Sequence, residues 1–131
     1  MVALYPLYQG VAFVFGLVIG SFWNVCIARW PEDRSVVAPR SACPACGTPI
    51  AARDNVPVLS WLVLGGRCRA CGTPIAPTYP LVELLGGLLA FLAWRRFVPT
   101  PADLDVAHVA AALVYFVFVS ALVVGAFIDI R

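Results

Sequence analysis

The sequence contains no lysine, one histidine and one methionine, and only 12% of its 131 residues are charged. A soluble domain usually has about a quarter charged residues. Because 62% of the chain is hydrophobic, the composition favours a membrane protein over a soluble one. No P-loop or dinucleotide fingerprint is present, and nothing beyond ordinary basic charge indicates a nucleic-acid partner.

Three apolar segments, residues 7–27, 80–98 and 107–129, are each long enough for a bilayer span of roughly 20 residues. The first has no basic residue before it and no A-x-A-like cleavage site after it, which argues against a secretory signal. We therefore expect an all-α membrane protein with three transmembrane helices. The predicted order is helix 1 (1–28), a cysteine-rich module (29–79), helix 2 (80–98), a short external loop (99–106) and helix 3 (107–131).

The arginines predict the orientation of these spans in the plasma membrane. Six of the nine lie in the insert between the first two spans, and Arg131 follows the third span on the same side. Only Arg95 and Arg96 lie on the other side. Since basic residues concentrate in cytoplasmic loops, we expect the insert in the cytoplasm and the N-terminus outside.

Four of the five cysteines belong to a repeat that reads CPACGTPI at residues 43–50 and CRACGTPI at 68–75. The spacing, C-x2-C-x21-C-x2-C, is typical of a zinc site built from two knuckles, with a slightly long loop between them. The predicted ligands are Cys43, Cys46, Cys68 and Cys71. Gly47 and Gly72 follow the second cysteine of each pair, where a positive φ is expected.

Metal binding is not the only function that such cysteine pairs can have. A C-x-x-C pair can also perform redox chemistry, although a redox pair needs no twin. Reduced thiols in the cytoplasm favour metal over disulfide. A site with four thiolates has no open position for water, so zinc would be structural and the chemistry would lie elsewhere.

Cys26 is predicted to be a small buried residue, and His108 is too remote to be a ligand.

The sequence GSFWNVCIARWP (residues 20–31), the stretch from DNVP through the second knuckle to YPLVELLGG (54–87) and FID (127–129) together resemble the bacterial type IV prepilin peptidases. The resemblance implies a polytopic inner-membrane aspartic protease that removes the leader from prepilins and pseudopilins at the cytoplasmic face. It also implies methylation of the new N-terminus with S-adenosylmethionine. Such enzymes use two aspartates, one after a hydrophobic helix and one in a GxGD-type motif.

Asp129 matches the first of these aspartates, because it ends the third apolar segment on the side of the insert. No GxGD occurs in the chain, and the other acids do not replace it. The sequence therefore resembles the N-terminal part of such an enzyme and is expected not to cleave peptides alone. The alternatives are a non-enzymatic membrane adaptor with a structural zinc module, and a membrane thiol oxidoreductase.

Several other polar residues carry two interpretations. Glu83, three residues after Pro80, could cap the second helix or help form a substrate or cofactor pocket. Asn24 could hydrogen-bond to another helix, the commoner role, or line the site. Gly16 and Gly20 form a G-x-x-x-G pair that permits close helix packing. The insert arginines could hold anionic lipid headgroups or a nucleotide-like cofactor.

Overall fold

The computed structural model describes residues 4–37 and 40–130; Arg131, one of the arginines that predict the orientation, lies outside them. Four α-helices follow one another: α1 (Tyr5–Arg29), α2 (Leu59–Val63), α3 (Thr78–Phe97) and α4 (Val106–Ile130). Short 3-10 turns occupy Trp30–Glu32, Ala52–Asp54 and Pro101–Asp103. The described residues contain two isolated β-bridges and no strand, so the predicted mainly helical fold is confirmed.

The end of α1 follows from local sequence chemistry. Pro31 lies within the 3-10 turn Trp30–Glu32, because a proline has no N–H with which to continue the α-helical hydrogen bonds. Asp33 then has a left-handed backbone, with φ of 54°, and its N–H donates to the carbonyl of Trp30. The chain therefore leaves the helix axis sharply where the insert begins.

Glycines line the contact between α1 and α3, the most extensive in the fold. A Cβ atom on Gly20 would lie 2.8 Å from Glu83 Cα, and one on Gly16 would clash with the carbonyl oxygen of Gly86. Only residues without a side chain allow two helices to approach this closely. The close packing predicted from G-x-x-x-G is therefore confirmed, and it includes glycines of α3 as well.

Helix α4 packs on the other two long helices through aromatic side chains. Phe116 is buried, and its ring centroid lies 5.9 Å from that of Trp23 and 6.0 Å from that of Phe15. Tyr115 contacts Phe97 near the end of α3, with ring centroids 5.5 Å apart. These contacts fix α4 alongside α1 and α3, so the three long helices form one bundle.

Two of the helices, Tyr5–Glu32 with its terminal turn and Val106–Ile130, are long and apolar enough to cross a membrane. Much of their apolar surface faces outward; for example, Val117 is 66% exposed. Exposed apolar faces of this extent fit contact with lipid. Helix α3 carries Glu83, Arg95 and Arg96 and is not one of these two helices, so the span predicted at residues 80–98 stays a prediction.

The glycine contact generates a prediction about stability. Replacement of Gly20 by alanine inserts a methyl group into a contact with no room for it, and overpacking of this kind costs about 1–3 kcal/mol. We expect Gly20→Ala to lower the melting temperature of the helical circular dichroism signal in detergent micelles.

Gly10→Ala is the matched control, since Gly10 lies in the same helix and a Cβ there meets nothing within 4 Å. Alanine is the better helix former by up to about 1 kcal/mol, so this variant should be as stable as the parent protein or slightly more stable. Equal melting temperatures for the two variants would contradict the proposed role of the glycine contact.

Candidate functional site

The two cysteine repeats form the same turn twice. In the first, the N–H of Gly47 donates to the carbonyl of Cys43 at 2.8 Å; in the second, Gly72 donates to Cys68 at 2.9 Å. An isolated β-bridge closes each turn, between Ala42 and Pro49 and between Arg67 and Pro74. Both glycines have φ of 72°, which confirms the predicted left-handed conformation. Nearly identical local sequence thus produces the same local geometry.

The turns bring the four repeat cysteines together, with all of their Sγ atoms within 4.8 Å of one another. The Sγ atoms of Cys43 and Cys71 are 3.7 Å apart, and those of Cys46 and Cys68 are 3.9 Å apart. Zinc–sulfur bonds of about 2.3 Å in a tetrahedron separate the ligand sulfurs by about 3.8 Å. A disulfide bond is only about 2.05 Å long, and all five cysteines are free. The arrangement therefore fits one tetrahedral metal ion.

Threonine hydroxyls favour the thiolate form of two of these cysteines. The Thr73 hydroxyl lies 3.1 Å from Cys71 Sγ, and its hydrogen bond to the sulfur, followed by that of the Thr73 backbone, lowers the pKa of Cys71 to about 6. Thr48 lies 3.3 Å from Cys46 Sγ and lowers the pKa of Cys46 in the same way. Since a metal binds the thiolate and not the thiol, both shifts favour metal binding at neutral pH.

The insert has very little core of its own. Between residues 40 and 77, the buried residues are Cys43, Ser60 and Gly66. A segment this poor in buried apolar groups needs a further source of stability, and a metal ion can supply it. The sulfur cluster is therefore the main candidate for what holds the insert in shape.

Two long-range contacts attach the rest of the insert to the second knuckle. Asp54 accepts hydrogen bonds from the guanidinium of Arg69, which lies between Cys68 and Cys71, with a shortest distance of 2.8 Å. This bond to Arg69 lowers the pKa of Asp54. Trp61 Nε1 donates to the carbonyl of Ile75 at 3.1 Å. Sequence reasoning missed both contacts, since neither pair has a diagnostic spacing.

One hydrogen bond joins α1 to the start of α3, and another joins the insert to α3. Asn24 Nδ2 donates to the carbonyl of Tyr79 at 3.0 Å, which confirms the predicted interhelical bond. Glu83 is buried and accepts a hydrogen bond from the Val58 N–H at 3.0 Å. The capping role predicted for Glu83 is wrong, because α3 begins at Thr78 and Glu83 lies beyond its first turn. Its carboxylate instead holds Val58, whose φ of 63° is unusual for a β-branched residue.

Asp129 lies one residue before the end of α4 and is exposed. Because a short connection makes α4 antiparallel to α3, this end of α4 lies beside the start of α3, where the insert joins. The neighbouring Phe127 and Ile128 pack against the cluster that contains Cys26, Ile27 and Val82. Asp129 is therefore at the end of the bundle where the insert joins α1 and α3. The burial predicted for Cys26 is confirmed, at 2% exposed.

Comparison with known proteins gives a consistent result. The family "Bacterial Peptidase A24 N-terminal domain" matches residues 14–97. The prepilin leader peptidase/N-methyltransferase of Myxococcus xanthus is 53% identical over 92 residues, which cover 70% of this chain and 28% of that protein. Its namesake in Klebsiella pneumoniae is 47% identical over 104 residues, covering 74% and 46%. The type 4 prepilin-like proteins leader peptide-processing enzyme of Escherichia coli O78:H11 is 46% identical over 105 residues, covering 64% and 39%.

The chain thus spans less than half the length of these curated relatives. No solved structure matches it. The family match includes both knuckles, all of α3 and most of α1, and it confirms the resemblance seen in the sequence motifs. The chain belongs to the family of the bacterial peptidase A24 N-terminal domain.

Proposed function

We propose that this chain is the N-terminal part of a prepilin leader peptidase and N-methyltransferase of the bacterial inner membrane. Its substrates would be prepilins of type IV pili or pseudopilins of type II secretion. The observation that carries the proposal is the position of Asp129, at the end of α4 and on the same side of the bundle as the cysteine module. Family membership supports the same assignment.

In the proposed reaction, Asp129 is one member of an aspartyl pair. Two neighbouring carboxylates can share one proton and activate a water molecule for attack on the peptide carbonyl. Asp105 cannot be the partner, since it precedes a helix of 25 residues and lies about 36 Å away at 1.5 Å per residue. The second carboxylate is expected in a GxGD-type motif, which this chain does not contain. The 131-residue chain alone is therefore expected not to cleave.

The cysteine module would hold one structural zinc ion through Cys43, Cys46, Cys68 and Cys71. Four thiolates leave no coordination position for water or substrate. The role of the bound ion would be to supply folding free energy to a segment with few buried residues. The module would then hold Val58 and the start of α3 in place.

In this proposal S-adenosylmethionine is the methyl donor, as the names of the relatives imply. Two cavities in the described part of the chain have volumes of about 200 Å³ each. Pockets for small molecules and cofactors usually have about 300–1,000 Å³. We therefore assign no residue here to S-adenosylmethionine.

In this proposal α1, α3 and α4 all cross the membrane, with the insert in the cytoplasm. Helix α3 would bury Glu83 against α1 and the insert, away from lipid. Arg95 and Arg96 are exposed near its other end, where long side chains can extend to the polar interface. The arginine-rich insert would then lie on the side that carries positive charge.

Replacement of Asp129 should abolish leader cleavage. In cells that express the whole gene product together with a prepilin, we expect Asp129→Asn to reduce cleavage about 1,000-fold or more, because a carboxamide cannot share the proton. Mass spectrometry of the pilin N-terminus measures the product. Asp105→Asn, at the opposite end of α4, should cleave normally. Normal cleavage by Asp129→Asn would remove this residue from the mechanism and favour the adaptor alternative.

Loss of one sulfur ligand should release the metal. The reduced, purified chain is expected to contain one zinc ion per chain by elemental analysis, and Cys71→Ser should contain much less. Cys26→Ala is the control, since Cys26 lies in α1 outside the cluster, and it should retain the ion. A wild-type protein that holds no metal and whose cysteines cycle with dithiol reagents would instead support the oxidoreductase alternative.

The pH at which zinc is released should depend on Thr73. Protons compete with the metal for the thiolates, so the ion is retained at neutral pH and lost as the pH falls. Thr73→Val removes the hydroxyl that lowers the pKa of Cys71, and we expect the release midpoint to move to higher pH. A chromophoric zinc indicator measures this midpoint. Thr78→Val, outside the knuckles, should leave it unchanged; equal midpoints for all three proteins would contradict the assigned role.

A further inference from the structure

A cavity of about 200 Å³ lies where α1 joins the insert, beside the base of the first cysteine turn. We call it the arginine cavity, and its lining residues include Val25, Arg29, Arg40, Ser41, Ile50 and Asn55. Two arginines therefore line one small cavity, together with a serine and an asparagine. No acidic residue is among those that line it.

The positive charge of this cavity is not balanced within the described residues. Arg29 is only 7% exposed, and its Nη1 donates to the carbonyl of Ser35 at 3.0 Å. Arg40 Nη2 donates to the carbonyl of Ile50 at 3.2 Å. All seven acidic residues lie in the described part of the chain. The ion pairs found there involve neither Arg29 nor Arg40.

This lining favours an anion over a cation as the ligand. A buried charge is costly unless an opposite charge or further hydrogen bonds accompany it. Each guanidinium has five N–H donors, of which the carbonyls use only a few. The C-terminal end of α1 contributes about half a negative charge at most, which two full positive charges outweigh.

The size of the cavity limits the anion. A volume of about 200 Å³ is below the usual range of about 300–1,000 Å³ for pockets that hold cofactors. A tetrahedral phosphate group fits this volume, and guanidinium groups pair with phosphate oxygens in a planar, two-pronged geometry. Ser41 and Asn55 add neutral hydrogen-bonding groups.

We propose that the arginine cavity binds a phosphate group, with Arg29 and Arg40 as its cationic ligands. The phosphate can belong to a small soluble phosphate or to the headgroup of an anionic lipid. The second source rests on the proposed membrane crossing of α1, which places the end of this helix at the level of the headgroups. Apolar residues in the lining, such as Val25 and Ile50, fit the glycerol backbone of such a lipid.

The test uses the full zinc-loaded chain in nanodiscs of phosphatidylcholine. Inorganic phosphate is titrated by calorimetry in one arm, and phosphatidylglycerol is introduced into the nanodiscs and counted by native mass spectrometry in the other. We expect saturable binding of one phosphate group per chain in at least one arm. Binding of inorganic phosphate identifies the soluble source, and retention of phosphatidylglycerol alone identifies the lipid source.

Arg40→Gln is the main variant, because Arg40 is exposed and its replacement is not expected to unfold the module; zinc content checks this. Loss of a charge-assisted hydrogen bond should weaken binding about tenfold or more. Arg53→Gln is the matched control: it removes one exposed positive charge from the same insert without touching the arginine cavity. The control should bind within about twofold of the parent protein.

Two outcomes would overturn the proposal. If both substitutions weaken binding equally, the attraction is a diffuse effect of net charge and the cavity is not a site. If neither inorganic phosphate nor phosphatidylglycerol binds saturably, the cavity does not take a phosphate group. Because neither outcome involves leader cleavage, failure here is distinguishable from failure of the proposed peptidase function.

Discussion

The convergence of four sulfur atoms is the constraint on which the cysteine module depends. Its two turns lie 25 residues apart in the chain, yet all four Sγ atoms come within 4.8 Å of one another. Few residues around them are buried, so apolar packing alone has little surface with which to bring the turns together. A tetrahedral ion bound by four thiolates would do so, and it would stabilise the folded insert by its binding free energy.

The module in turn positions the segment that contacts the helices. The bond between Asp54 and Arg69 attaches the segment before α2 to the second knuckle, and Trp61 attaches α2 to the strand-like end of that knuckle through Ile75. Val58, between these two attachments, donates to the buried Glu83 of α3. A continuous set of contacts therefore runs from the sulfur cluster to the α1–α3 interface, at the end of the bundle where Asp129 lies.

The sequence predicted the features that depend on local chemistry. Gly47 and Gly72 follow from the turn that two closely spaced cysteines require, and Gly16 with Gly20 from the spacing of one helix face. Most of the specific long-range partners were not predicted from the sequence. The role of Glu83 was mistaken because α3 begins two residues before Pro80, and its partner Val58 is 25 residues away. No sequence pattern indicates the pairing of Asp54 with Arg69 either, because the insert contains several other arginines that could have paired with Asp54.

X-ray absorption spectroscopy at the zinc edge tests the central claim most directly, because it reports the atoms around the metal in the reduced, purified protein. The account predicts a single shell of four sulfur neighbours at about 2.3 Å, without nitrogen or oxygen ligands. A shell that contains nitrogen or oxygen, or fewer than four sulfurs, would show that the cysteine module is not organised around one closed four-thiolate site.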